Sequence, residues 1–462
     1  MLAPLNHLDQ LQARLDETIG LLPLNKTDGF ASLVLALPRA IALPPELDCP
    51  GFGFTLGHSG ELRAGRGVAA EWTAQGPGRL QALRANTQAL TRNWLQFDPD
   101  ETGFSGFAML GFAASPTPSG CDLPNALLWL PELGLCTRQD QSILVLTTPL
   151  PVSPGELRGR WHDWLARLVP ALDAPLPEPR TPSPLTQLGS LPGLDDWQAL
   201  VDSALTEIRL GTLDKVVLCR RIGLKGRRPF DPRRLLAALV YLFPACQVIS
   251  IRHGATRFVA ATPERLLRVS GRQVEVDAIA GTAPRSARAS QDAALTAALR
   301  TSDKEQREHA MVVAAVRTVL DDCCDRVQVP ADPTVMQLHN AQHLWSPVSG
   351  RLRADTDLLE LAERLHPTPA TNGQPQAAAR DWLERAEPLE RGWYTGAAGI
   401  LEPDQSGGLN GDLWVLLRCA ELNGDHAHLY AGAGIVQGSN PLSEWRETEH
   451  KLAAIATALQ FA

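Results

Sequence analysis

The chain has 462 residues and a formal charge of −8, with 44% hydrophobic and 20% charged residues, a balance that fits a folded globular protein and not a disordered one. No run of Lys or Arg reaches the density of a nucleic-acid footprint, and no stretch of about 18 apolar residues offers a membrane span. The N-terminus, MLAPLNHLDQLQARLDETIGLL, lacks a basic region followed by a long apolar one. The expectation is a soluble cytoplasmic protein of two or three average domains, or one large one. The eight cysteines, Cys121 among them, have no C-x-x-C spacing and are read as reduced, buried thiols.

Residues 1–170 alternate short strand-like runs, such as Gly51 to Phe54 and Phe104 to Phe112, with turns, and carry one good helix pattern from Gly78 to about Leu95. Nothing there assembles a catalytic constellation. From Pro170 to Pro192 repeated prolines withhold backbone donors and forbid a helix, which predicts a linker or an extended edge crossing. No fixed-period repeat is visible on either side.

Leu194 to Leu210 is predicted helical, with Asp195 or Asp196 as cap and Trp197, Leu200, Val201, Leu205 and Ile208 on one stripe. Lys215 then opens an apolar strand reaching Arg221. Gln247 to Ile251 and Arg257 to Ala260 read as one hairpin, and Leu266 to Val269 with Gln273 to Ile279 as the next. Glu264, in Thr262-Pro263-Glu264, falls at a corner of this antiparallel sheet, where an acid is ordinarily solvated.

A long helix is predicted from about Ala289 to Cys324. Val312, Val316 and Val319 recur at helical spacing from Glu308, which places that carboxylate on the buried stripe. A carboxylate there has to be neutralised, paired or bound to a cation, because desolvating it alone is costly; a salt bridge to an arginine is the structural alternative. Glu305 reaches the same place.

Further on, Leu358 to Leu365 and Gln376 to Glu384 read as helices, and His366-Pro367-Thr368-Pro369 as a proline-fixed loop. Gly396 to Leu401, Asp412 to Cys419 and Ala427 to Val436 read as strands. The middle strand carries Arg418, and the last carries Gly432 and Gly434, whose amides are expected to face an anion. Asn440-Pro441 starts a terminal helix. On it Glu447 and Lys451 lie four residues apart, a spacing that also suits a solvated surface pair.

The order of these parts resembles the chorismate-binding enzymes, namely the isochorismate, salicylate, anthranilate and aminodeoxychorismate synthases. The resemblance covers roughly residues 195–462. It rests on Ile208 to Leu218, Ala261-Thr-Pro-Glu264, Ile279-Ala-Gly-Thr282, Lys304 to His309, Gln342-His-Leu344, His366-Pro-Thr-Pro369, Arg391-Gly-Trp-Tyr-Thr-Gly396, Leu417-Arg-Cys419, Gly432 to Val436, and Glu444 to Lys451. It implies a large α/β (α+β) fold with stacked antiparallel sheets surrounded by helices. Residues 1–190 would form a mainly structural N-terminal part and 191–462 the catalytic region.

By resemblance, Glu308 and Glu447, with Glu305 nearby, hold a Mg²⁺ that meets the ring carboxylate of chorismate. Gly281, Thr282, His343, Tyr394, Leu417, Arg418, Gly432, Gly434 and Lys451 bind the substrate. His343 in an apolar segment also suits a hydrogen-bonded core residue, and His366 is expected to stabilise its loop. The expected assembly is a monomer, with a dimer as alternative.

Two positions favour one branch of the family. Ammonia-using anthranilate synthases typically carry a glutamine where this chain has Lys215, and aminodeoxychorismate synthases place a lysine where it has Ala280. The resemblance therefore implies an isochorismate synthase that adds water at C2 and expels the C4 hydroxyl, with Lys215 as general base and Glu264 as general acid. Those roles require Lys215 largely neutral and Glu264 largely protonated near neutrality. Salicylate synthase, which goes on to eliminate pyruvate, is the nearest alternative. Anthranilate synthase component I and a non-catalytic chorismate-binding protein lie further off.

Overall fold

The computed structural model describes residues 7–118, 120, 122–178, 180–338, 341–404 and 407–462; Cys121 and residues 1–6 lie outside them. The described residues build two mostly antiparallel sheets, one of 13 strands and one of 10, each drawing strands from both the N-terminal and the C-terminal part of the chain. Their facing sides bury Phe52, Phe107, Trp129, Phe258, Trp393 and Trp414 in one apolar layer. No described helix is long and apolar enough to cross a membrane.

The helices cover the outer faces. Asp303–Cys323 packs on the smaller sheet through Val312, Val316 and Leu320. Pro441–Leu459 packs on the larger one through Leu452, Ile455 and Leu459. The strand Lys215–Lys225 pairs along its whole length with His426–Val436, so that Val217 lies opposite Gly434 and Cys219 opposite Gly432.

Several sequence expectations change. The long helix is two, Ala289–Thr301 and Asp303–Cys323, separated at Ser302, whose hydroxyl accepts from the Glu305 amide and starts the second helix afresh. Asp195 and Asp196 do not cap their helix; Gly193 occupies that position without a side-chain bond. The helix Pro154–Asp173 carries Pro170 inside it, and the proline-rich stretch behind it supplies the edge strand Thr186–Leu191.

The two hairpins around Glu264 do not share a sheet. Thr256–Thr262 belongs to the larger sheet and Arg265–Ser270 to the smaller, so Glu264 sits where the chain crosses between them. Asp412 to Cys419 is likewise not one strand. Leu409–Val415 lies in the smaller sheet and Cys419–Asn423 in the larger, and Arg418, at φ +47°, turns the crossing. The two crossings are tied together: the Ala261 amide donates to the Arg418 carbonyl at 3.1 Å and the Val415 amide to the Glu264 carbonyl at 2.9 Å.

Candidate functional site

The paired crossings open a cavity between the sheets. Its wall takes Glu264 from one crossing and Leu417 and Arg418 from the other, Gly281 and Thr282 from the smaller sheet, and Gly432 and Gly434 from the larger. Glu308, His343, Tyr394, Glu447 and Lys451 line it too. Lys215 and Glu305 lie just behind the wall.

Glu264 is only 4% exposed. Burial pushes its carboxyl up to about 8, against the pull of the Lys215 charge. The expected solvated corner acid is thus a desolvated one, because the crossing carries it inward between two sheets. Thr368 Oγ1 stands 3.5 Å from Glu264 Oε1, at the limit of a hydrogen bond.

Lys215 is fully buried, and its Nζ donates to Glu308 Oε1 at 2.8 Å. The partner of Glu308 is therefore this lysine and not an arginine. Burial opposes ionisation of Glu308, yet the Lys215 charge and hydrogen bond hold its carboxyl below the usual range. Room for the pair comes from Gly434: a Cβ there would stand 2.8 Å from Glu308 Oε1 and 3.1 Å from Lys215 Cε. Gly432 serves Tyr394 in the same way, since a Cβ would meet its hydroxyl at 2.8 Å.

Sequence reading missed Glu444, one turn before Glu447 and almost fully buried, where it accepts from Lys304 Nζ at 2.9 Å. Its signal is the same spacing that marks Glu447: two acids three apart beside a lysine four further on. Glu305, Glu308, Glu444 and Glu447 thus bring carboxylates together from two helices. Burial, then the Glu308 charge, raises Glu305; burial, opposed by Lys304 and assisted by Glu447, raises Glu444. Lys215, Lys304 and Lys451 offset part of this charge, with Lys451 Nζ 2.7 Å from Glu447 Oε1 and 2.9 Å from the Gly432 carbonyl.

Hard carboxylate oxygens in excess over their cations suit Mg²⁺, which keeps several of its waters and needs few protein ligands. Among the described residues no three His, Cys, Asp or Glu side chains close into a metal cage.

On the opposite wall, Thr282 Oγ1 is 3.1 Å from His343 Nδ1, and Arg418 Nη2 is 3.2 Å from His343 Nε2. Burial, with Arg418 and Lys451, lowers His343 to about 3, so the ring is neutral. Tyr394 stacks on Tyr430 at 5.6 Å between centroids. Beyond Tyr430 the strand His426–Val436 has no described strand partner on the side away from Lys215–Lys225. His366 bonds the Thr395 carbonyl at 2.8 Å and so fixes its loop, as the sequence led us to expect.

The sequence profile described as chorismate binding enzyme matches residues 55–460. The chain belongs to the chorismate-binding enzyme family. The relationship reaches well into the N-terminal part, further than the motifs alone extend. This chorismate-binding enzyme is 38% identical over 263 residues to the salicylate biosynthesis isochorismate synthase of Pseudomonas aeruginosa, across 57% of this chain and 54% of that protein. It is 34% identical over 265 residues to the isochorismate synthase MenF of Bacillus subtilis, across 57% and 55%. The matched stretch thus spans a little over half the length of these relatives. The solved structure of MenF, the menaquinone-specific isochorismate synthase of Escherichia coli, superposes with a TM-score of 0.79 at 26% identity, covering 98% of this chain and all of that one.

Proposed function

We propose that the protein is an isochorismate synthase, converting chorismate to isochorismate with Mg²⁺. The observation that carries this reading is Glu264, a carboxyl raised to about 8 by burial in the wall of a cavity that also presents Arg418 and Lys451. A protonated acid facing two cations suits an anionic substrate whose hydroxyl must be protonated to leave. The isochorismate synthases among the relatives supply the substrate class.

In this reading Arg418 and Lys451 hold the substrate carboxylates, and Thr282 and His343 keep Arg418 aimed. Lys215 takes a proton from water as its oxygen bonds to C2, the ring double bonds shift, and the C4 hydroxyl leaves as water with the proton of Glu264. Water enters and water departs, so the product is an isomer. Lys215 acts as base in its neutral form, which can still donate one N–H to Glu308 while its lone pair takes the proton from water. Mg²⁺ bound through Glu308 and Glu447, with Glu305 and Glu444 beside them, would supply positive charge to the substrate's ring carboxylate.

Lys215→Ala and Glu264→Gln test these roles. Each is expected to lower turnover by about 10²–10⁴-fold, the usual range for a lost general base or acid, while chorismate still binds. Near-wild-type turnover from either variant would remove the assignment.

A further inference from the structure

The Lys215–Lys225 strand has a gap in its ladder after Val216. On the edge away from His426–Val436, Lys215 and Val216 pair with Gly373–Gln374, and Thr186–Leu191 takes over from Arg221 onward. Between them no described strand covers Val217 to Arg220. A strand edge left open beside a site is free to shift, unless other groups satisfy its amides and carbonyls.

The Val217 amide donates to the Asn372 carbonyl at 2.8 Å, and Glu387 and Arg391 fill the rest of this gap. Arg391 Nη2 donates to the Val217 carbonyl at 2.6 Å, and the Cys219 amide donates to Glu387 Oε1 at 2.8 Å. The two side chains are themselves joined by a two-pronged pair, Nε to Oε2 at 2.8 Å and Nη2 to Oε1 at 2.6 Å. Arg391 Nη1 then reaches the Thr371 carbonyl at 2.7 Å. Thr371 closes the turn whose Thr368 faces Glu264, through its amide on the Thr368 carbonyl at 3.0 Å. Both members of the pair are nearly buried, with side chains 11% and 5% exposed.

One guanidinium thus touches the strand that carries Lys215 and the loop that backs Glu264. We propose that Arg391 and Glu387 are positioning residues that set the separation of Lys215 from Glu264, without touching substrate. The inference rests on the base and acid roles given above. Arginine suits the place because its planar fork serves acceptors on three residues at fixed angles, which a lysine ammonium cannot do.

The experiment compares Arg391→Lys, Glu387→Gln and Glu387→Ala with the wild type. The readouts are kcat and KM for chorismate, thermal melting, and the ¹³C titration of the Glu264 carboxyl, identified by its loss in Glu264→Gln. Arg391→Lys is expected to lower kcat about 10- to 100-fold, on the scale of a misplacement of order 1 Å, with KM within about 3-fold. Glu387→Gln keeps an oxygen for the Cys219 amide and is expected to recover part of the kcat lost in Glu387→Ala. In Arg391→Lys the Glu264 midpoint is expected to move from the wild-type value.

A fall in kcat that only tracks the folded fraction, together with an unmoved Glu264 midpoint, would overturn the inference. So would a KM effect at constant kcat. The titration needs no substrate, so it still decides the matter if the wild type makes no product from chorismate, an outcome that would count against the proposed function instead.

Discussion

Lys215 Nζ lies 2.8 Å from Glu308 Oε1, joining a fully buried lysine on the larger sheet to a carboxylate on the helix that covers the smaller one. A buried pair is strongly destabilising to break from one side, by about 3–5 kcal/mol, yet often neutral to replace whole. Lys215→Ala is therefore expected to lower the melting temperature markedly. The double variant Lys215→Met/Glu308→Leu should recover most of that loss while remaining inactive. Thermal melts of the two proteins decide it, and a double variant no more stable than Lys215→Ala would contradict the pairing.

Glu264 gives a pH dependence with a definite sign. Its folded-state value of about 8 lies above the ordinary 4.5, so the protonated form needed for acid catalysis is lost as pH rises through about 8, and kcat should fall there. For stability, a raised value means that the contribution is complete below about 4.5 and disappears as pH climbs to about 8. Glu264→Gln cannot ionise, so its melting temperature relative to wild type should rise across that window. A difference that stays flat would place the carboxyl in a wetter setting.

Gly434→Ala is expected to reduce turnover by roughly 10²-fold, the scale attached to about 1 Å of misplacement, because the added carbon meets the Lys215–Glu308 pair from 2.8 and 3.1 Å. Steady-state kinetics check this. Unchanged kcat would mean that the pair tolerates displacement.

Mg²⁺ is expected to raise the melting temperature with increasing concentration, since a ligand of the folded state stabilises it by mass action. The effect should vanish in Glu308→Gln/Glu447→Gln, read by melting alone. Equal stabilisation of both proteins would place the ion elsewhere.

Much of the site was legible in the sequence because its residues sit on strongly patterned elements. The valines after Glu308 set the face of its helix, and Asn440-Pro441 fixed the start of the helix carrying Glu447 and Lys451. What was not legible depends on which sheet a strand joins. Glu264 and Arg418 look like a corner and a strand residue, because sequence periodicity ends at each strand and does not say that the next belongs to another layer. The Lys215–Glu308 contact spans 93 positions, and no local pattern encodes it. Glu387 and Arg391 lie past the end of the helix Gln376–Ala386, where no periodicity assigns a side chain to a face, while their work is on a strand far away in the chain.

The most direct measurement is the product formed when the purified protein meets chorismate and Mg²⁺. Isochorismate with no pyruvate released is the expected product. Salicylate with an equal amount of pyruvate would make the protein a salicylate synthase, and chorismate recovered unchanged would contradict catalysis altogether.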